Sequence, residues 1–198
     1  MMRRSTVVLL LLMGAWLTGT QVARAQMGGM QMGGMQTAAA PTSFLAPLKA
    51  QWESTRTLVT GLVSQVPEDK YDYRPTPETR SFREQFTHLI GENYRYMAQA
   101  AGEQPPVDQA TADKLKTRDE IVKGLADSYE YGAKVWAGMD DKKAMEMVAG
   151  RGGQQQMRWN GILGNIVDNM DHYGNLVTMV RLNGMVPGRT AAQQQRQR

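Results

Sequence analysis

Asn160-Gly-Ile-Leu-Gly-Asn-Ile-Val-Asp168-Asn-Met-Asp-His172-Tyr-Gly-Asn-Leu-Val-Thr-Met-Val-Arg-Leu-Asn183-Gly184 is the stretch whose reading decides the fold. Ile166, Met170 and Val177 keep to one side of a 3.6-residue repeat, which marks one amphipathic helix from about Asn160 to Asn183. Gly184 is placed to adopt the left-handed conformation that closes a helix, Arg181 sits at the negative end of the dipole, and Pro187 prevents continuation.

Upstream, the same signature recurs three times. Leu45, Leu48, Trp52, Val59, Leu62 and Val66 alternate three and four apart with Thr55 in the one gap, so a first helix begins near Pro47 and ends at Pro67. Lys70-Tyr-Asp-Tyr-Arg-Pro-Thr-Pro77 reads as an extended connection. Ser81 and Glu84 have the spacing of a capping box and open a second helix, with Phe82, Phe86, Leu89, Ile90, Asn93 and Met97 on one side and an end near Gly102. Thr117 and Glu120 repeat the cap, and Ile121, Val122, Leu125, Tyr129 and Trp136 supply a third stripe that stops at Gly138. Between Gly138 and Gln156 the chain reads as a loop around Arg151-Gly-Gly, with a short helical turn from Ala144 to Met147. Four helices with little strand signal predict an all-α fold, an antiparallel four-helix bundle over residues 43–188, followed by a disordered tail at 189–198.

Residues 1–25 read as a cleavable signal peptide: Arg3-Arg4, an apolar run from Val7 to Leu17, and Ala23-Arg24-Ala25 before Gln26. The expected location is therefore periplasmic or extracellular. That apolar run is shorter than the roughly 20 residues a bilayer-spanning helix needs, so the mature chain is expected to have no membrane span. Residues 26–42 are a Met/Gly/Ala-rich linker, in which Met27, Met30, Met32 and Met35 offer soft thioethers suited to Cu(I) or serve merely as part of a flexible tether. Losing Arg3, Arg4 and Arg24 with the signal lowers the formal charge from +4 to +1, which removes the argument for a nucleic-acid partner. The absence of cysteine excludes disulfides, thiolate metal sites and cysteine nucleophiles.

Only two histidines exist, His88 in the second helix and His172 in the fourth. Asp168 lies four residues before His172, one turn away on the same face, so the pair can offer two ligands to one ion and His88 a third. Two imidazoles and a carboxylate suit Fe(II) and are compatible with Zn, Ni or Mn. At about 100° per residue His88 falls opposite the Phe86 stripe, beside Glu84, Gln85, Glu92 and Arg95; it is either solvated or lines a polar cleft between helices two and four. Glu92, one turn after His88, and Asp171 are candidate catalytic bases, and Asn169 or Asp171 is placed for a hydrogen bond to a ligand. Gly174 is expected at a close helix approach, Trp52, Trp136 and Trp159 in or near the core, and Tyr173 in packing.

Pro67-Glu-Asp-Lys-Tyr-Asp-Tyr-Arg-Pro-Thr-Pro-Glu-Thr-Arg-Ser-Phe82, followed by His88-Leu89, resembles the DinB-like family of metalloproteins, in which a ligand histidine follows the capping serine by seven residues. Asp168-Asn-Met-Asp-His172, continuing to Pro187, is similar to that family's closing motif of a histidine, three residues and a second histidine. The resemblance spans Phe44 to Pro187 and implies a four-helix bundle, often a homodimer, holding a divalent metal on three histidines. It also implies activity on a small-molecule substrate as a thiol S-transferase, an isomerase or a metal-dependent hydrolase. By position the metal ligands are His88, residue 168 and His172. Aspartate at 168 still ligates these metals, yet it lowers the nitrogen count and adds negative charge. Two functions are thus expected: a metal-dependent hydrolase or transferase, with hydrolysis better suited to an exported protein, or a non-catalytic binding or stress-related bundle whose site is degenerate at Asp168.

Overall fold

The computed structural model describes residues 43–198. The expected signal peptide and methionine-rich linker lie outside the described residues. In chain order the elements are α1 (Leu45–Gln65), α2 (Phe82–Ala101), α3 (Gln109–Ala112), α4 (Arg118–Ala137), α5 (Asp141–Ala144), β1 (Met147–Ala149), β2 (Gln155–Met157), α6 (Arg158–Leu182) and α7 (Gly188–Arg196). The four long helices α1, α2, α4 and α6 are the predicted four-helix bundle. Both α1 and α2 pack against α4 and α6, so α1 and α2 stand diagonally across the bundle. The connection from Val66 to Ser81 is long because it crosses that diagonal; a short 3-10 turn at Glu68–Lys70 begins it.

Burial follows the predicted stripes in α1, α2 and α4, whereas in α6 Met170 and Val177 are half-buried and the buried face is turned toward Ile162, Asn165, Asn169, His172 and Leu176. Trp52, Val59 and Leu62 from α1, Phe82, Phe86, Leu89, Ile90 and Met97 from α2, Ile121, Leu125, Tyr129 and Trp136 from α4, and Ile162 and Leu176 from α6 form one core. Each large side chain removed from water contributes about 1.5–3 kcal/mol. Trp159 is half-buried at its edge. Both capping boxes are present: Ser81 Oγ accepts from the Glu84 amide while the Ser81 amide donates to Glu84 Oε2, and Thr117 and Glu120 do the same. The Glu84 carboxyl is held below its ordinary range chiefly by the Ser81 amide. Gly102 and Gly184 end α2 and α6 with φ of 76° and 72°, the left-handed region that glycine enters without a Cβ clash.

The stretch read as a loop is more ordered than its sequence suggests. Asp140 caps α5, which ends where the expected turn would begin, and β1 and β2 form an antiparallel hairpin pairing Met147 with Met157 and Ala149 with Gln155. Three-residue strands are too short to display a period of two. Gly152 and Gly153 supply the positive φ values of the turn. Arg158 fastens the hairpin to α2, its guanidinium pairing with Glu146 and donating to the Ala100 and Ala101 carbonyls. The tail expected to be disordered is instead largely helical: its Ala-Gln-Arg composition has good helix propensity, and α7 forms without burying a residue.

Gly174 does not mark the close approach, since a Cβ there would meet nothing within 4 Å. The approach lies three turns earlier, where a Cβ on Gly161 would sit 2.7 Å from the Tyr96 carbonyl oxygen and 2.8 Å from the Ala100 nitrogen, and one on Gly164 would strike the Tyr96 ring. These glycines let α6 lie directly on the α2 backbone. Gly161→Ala is expected to destabilise the protein by about 1–3 kcal/mol through overpacking against backbone that cannot yield. Gly174→Ala is expected to stabilise it by about 0.5–1 kcal/mol by restricting the unfolded chain. Urea denaturation of the two variants measures both.

Candidate metal centre

The packing of α2 on α6 brings together polar side chains that the sequence separates by more than seventy residues. At the bundle centre Asn93 Oδ1 accepts from Asn165 Nδ2 at 2.9 Å and from Asn169 Nδ2 at 2.7 Å, while Asn93 Nδ2 donates to Ser128 Oγ at 3.0 Å. Trp52 Nε1 donates to Asn165 Oδ1, and Tyr129 Oη to Asn169 Oδ1 at 2.6 Å. Five buried side chains from all four long helices are thereby joined, with Ser128 a sixth. Asn169 is fully committed here, donating also to the Asn165 carbonyl, so it does not support a histidine as its position had suggested.

One turn along from this network, His88, Asp168 and His172 converge, each offering one ligand atom within 4.8 Å of the others. His88 is half-buried and faces His172 edge-on, ring centroids 4.8 Å apart and planes at 74°. Of the two readings left open for His88, the polar cleft between the helices is the one observed. Metal–ligand bonds of about 2.0–2.2 Å at a tetrahedral ion set donor atoms about 3.3–3.6 Å apart, so the three side chains would draw together by about an ångström to hold one.

The donor chemistry fits a cation. His172 Nδ1 lies 2.7 Å from Gln85 Oε1, an acceptor, so Nδ1 carries the hydrogen and the Nε2 lone pair is free. Nε2 stands 3.9 Å from Asp168 Oδ1, too far for a hydrogen bond. Asp168 Oδ2 is buried with no hydrogen-bond partner. Burial first, and the negative charge of Glu92 second, push the Asp168 carboxyl up to about 6. Burial and then the Arg80 charge lower the His88 pKa; burial and then His88 lower that of His172, so both imidazoles are neutral at pH 7. Two neutral nitrogen donors beside a carboxylate whose buried Oδ2 has no hydrogen-bond partner is an arrangement a divalent ion satisfies.

Gln85 was missed from the sequence. It precedes His88 by three residues, on the same helix face, and is buried because it orients His172. Of the two candidate bases, Glu92 is half-buried next to the cluster and clasped through both carboxylate oxygens by Arg95, whose guanidinium lies 3.9 Å above the Tyr96 ring. Asp171 is exposed, one residue outside the cluster. A cavity of about 620 Å³ opens beside His88, between the start of α2 and the α3 segment.

A sequence profile described as the DinB superfamily matches residues 51–176, well over half of the chain. The chain belongs to the DinB superfamily. Among solved structures it is similar to a DinB-like protein from Bacillus cereus ATCC 10987, at a TM-score of 0.62 and 10% identity, covering 71% of this chain and 93% of that one. A conserved protein from Enterococcus faecalis superposes at a TM-score of 0.57 and 12% identity, covering 71% of this chain and 96% of that one. At these identities the likeness concerns the fold. No curated protein matches the chain. For this DinB member, Asn93→Ala is expected to cost about 2–4 kcal/mol by removing the acceptor of one hydrogen bond from each of the Asn165 and Asn169 amide nitrogens in the core. Chemical denaturation measures the loss, and Asn175→Ala, on an exposed face of α6, is the control expected to stay within about 0.5 kcal/mol.

Proposed function

We propose that this chain is an exported divalent-metal-binding protein that acts on a small molecule as a metal-dependent hydrolase or transferase. The observation that carries the reading is the buried, unpartnered Asp168 Oδ2 set between two neutral histidines. Export rests on the Arg3-Arg4, Val7–Leu17 and Ala23-Arg24-Ala25 pattern. His88, Asp168 and His172 would hold zinc, nickel, iron or manganese. When bound, such an ion supplies Lewis acidity that polarises a carbonyl or phosphoryl group and acidifies water.

The chain's own residues provide the rest. Gln85 keeps the His172 ring turned with Nε2 toward the cluster. Glu92 is our choice for the base, because it lies one turn from His88 beside the cluster, and its pairing with Arg95 holds the carboxylate in one orientation. Asp171 shapes the field: its negative charge opposes ionisation of Asp168 and supports protonation of His172.

Elemental analysis of the purified protein is expected to find one divalent ion per chain, lost in His88→Ala and in His172→Ala; absence of metal after reconstitution with each of the four ions would refute the proposal. Asp168→His is expected to tighten binding by adding a third nitrogen. If neither the native protein nor Asp168→His binds metal, the non-catalytic bundle is the correct alternative.

The metal-free protein should also show the cost of Asp168. A carboxyl raised from 3.8 to about 6 by folding favours the folded state fully below about pH 4, and that contribution is lost as the pH rises through 6. Zinc offsets the charge that then appears, so its effect on Tm is expected to be larger at pH 7.5 than at pH 5. Protonation of the histidines also weakens zinc binding at pH 5, but in the metal-free protein it opposes the Asp168 contribution, because folding lowers both histidine pKa values. Thermal scans should show a smaller pH difference in Asp168→Asn.

A further inference from the structure

We infer that Arg80 is the anchor for an oxyanion group, a carboxylate or a phosphate, on the small molecule that binds beside the His88–Asp168–His172 cluster. This rests on the reading of the cluster as a metal centre and names the class of ligand it serves.

Arg80 stands on the wall shared by two cavities. One, of about 620 Å³, also contains His88; the other, of about 520 Å³, also contains Gln85, the residue that holds His172. Both volumes lie in the range of small-molecule sites. The first cavity has four cationic side chains, and three are engaged. Arg74 pairs with Glu84 at 2.9 Å and donates to the Thr79 carbonyl; Arg83 pairs with Asp72 at 2.9 Å and covers the Tyr71 ring; Lys116 Nζ donates to the Asp113 carbonyl at 3.0 Å. Among the described residues Arg80 makes neither an ion pair nor a side-chain hydrogen bond.

The carboxylates nearby do not answer it. Asp113 Oδ1 accepts from Thr87 and Gln109, and Glu78 is turned to its own amide and Thr76. Arg80 is held in place from behind: it immediately precedes Ser81, whose side chain and amide are both tied into the cap of α2. The result is an exposed guanidinium with five free donors on a fixed stretch of backbone, between the two cavities. Its planar fork matches a carboxylate or phosphate through two parallel hydrogen bonds, and its charge favours an anion. A neutral substrate would leave that fork unused.

The test is calorimetric titration of the full chain, metal-free and zinc-loaded, with two probes, inorganic phosphate and succinate, at low ionic strength. The native protein is expected to bind at least one probe, and whichever binds more tightly identifies the head group. Arg80→Gln is expected to weaken that binding about tenfold or more, and Arg80→Lys to recover only part of it, since an ammonium restores the charge without the fork. Among the described residues the Arg80 side chain makes no hydrogen bond or ion pair, so a Tm close to native shows that the variants are folded. Native protein that binds neither probe, or Arg80→Gln that binds as tightly as native, overturns the inference. Zinc content measured on the same samples keeps the two readings apart. A protein that holds zinc but ignores both anions refutes the anchor alone, whereas one that binds anions through Arg80 without retaining zinc refutes the metal centre alone.

Discussion

The carboxamide of Asn93 is the contact on which the rest of the site depends. Its oxygen takes two hydrogen bonds from α6 and its nitrogen gives one to α4, in a core where an unpaired amide costs about 1–3 kcal/mol. An apolar interface tolerates small slides and rotations because dispersion has no direction. This one does not, since shifting α6 along α2 breaks both Asn93 bonds together. Asn169 is the neighbour of Asp168 and stands three residues before His172, and Asn93 stands five after His88. The register that satisfies the amides is therefore the register that brings His88, Asp168 and His172 together.

Other features serve the same helix pair. Gly161 and Gly164 remove side chains where α6 meets the backbone and ring of α2, and Arg158 ties the start of α6 and its hairpin to the last carbonyls of α2. With this much of the interface constrained, the cleft keeps its shape although it contains a buried carboxylate oxygen with no hydrogen-bond partner. Burying Asp168 without a partner is a local cost, and such exceptions to ordinary packing concentrate where a protein performs its chemistry. Aspartate at this position adds a charge that burial disfavours, a cost that a histidine would not carry.

The helices were legible because their signals are local. The Ser81/Glu84 and Thr117/Glu120 boxes, the stripe from Leu45 to Val66 and the glycine stop at 184 each depend on residues within one or two turns, and the structure follows all of them. The hairpin was not legible, because its strands are three residues long and its turn is defined by two positive φ values rather than by pattern. Gly174 misled for a related reason: a glycine in a helix is ambiguous until the opposing surface is known, and the opposing surface lies at 161 and 164.

For the site, the sequence by itself determined the donors: two histidines, no cysteine, and an aspartate one helical turn from one of the histidines. Helical periodicity sufficed for that, since it relates residues along one element. It left His88 between solvent and cleft, offered Asn169 or Asp171 as support for a ligand, and gave no role to Gln85 or Arg80. Only the tertiary structure decided these, because each turns on how α2 and α6 are rotated about their own axes. That rotation is set by Asn93, Asn165 and Asn169 in the core, through hydrogen bonds between helices more than seventy residues apart.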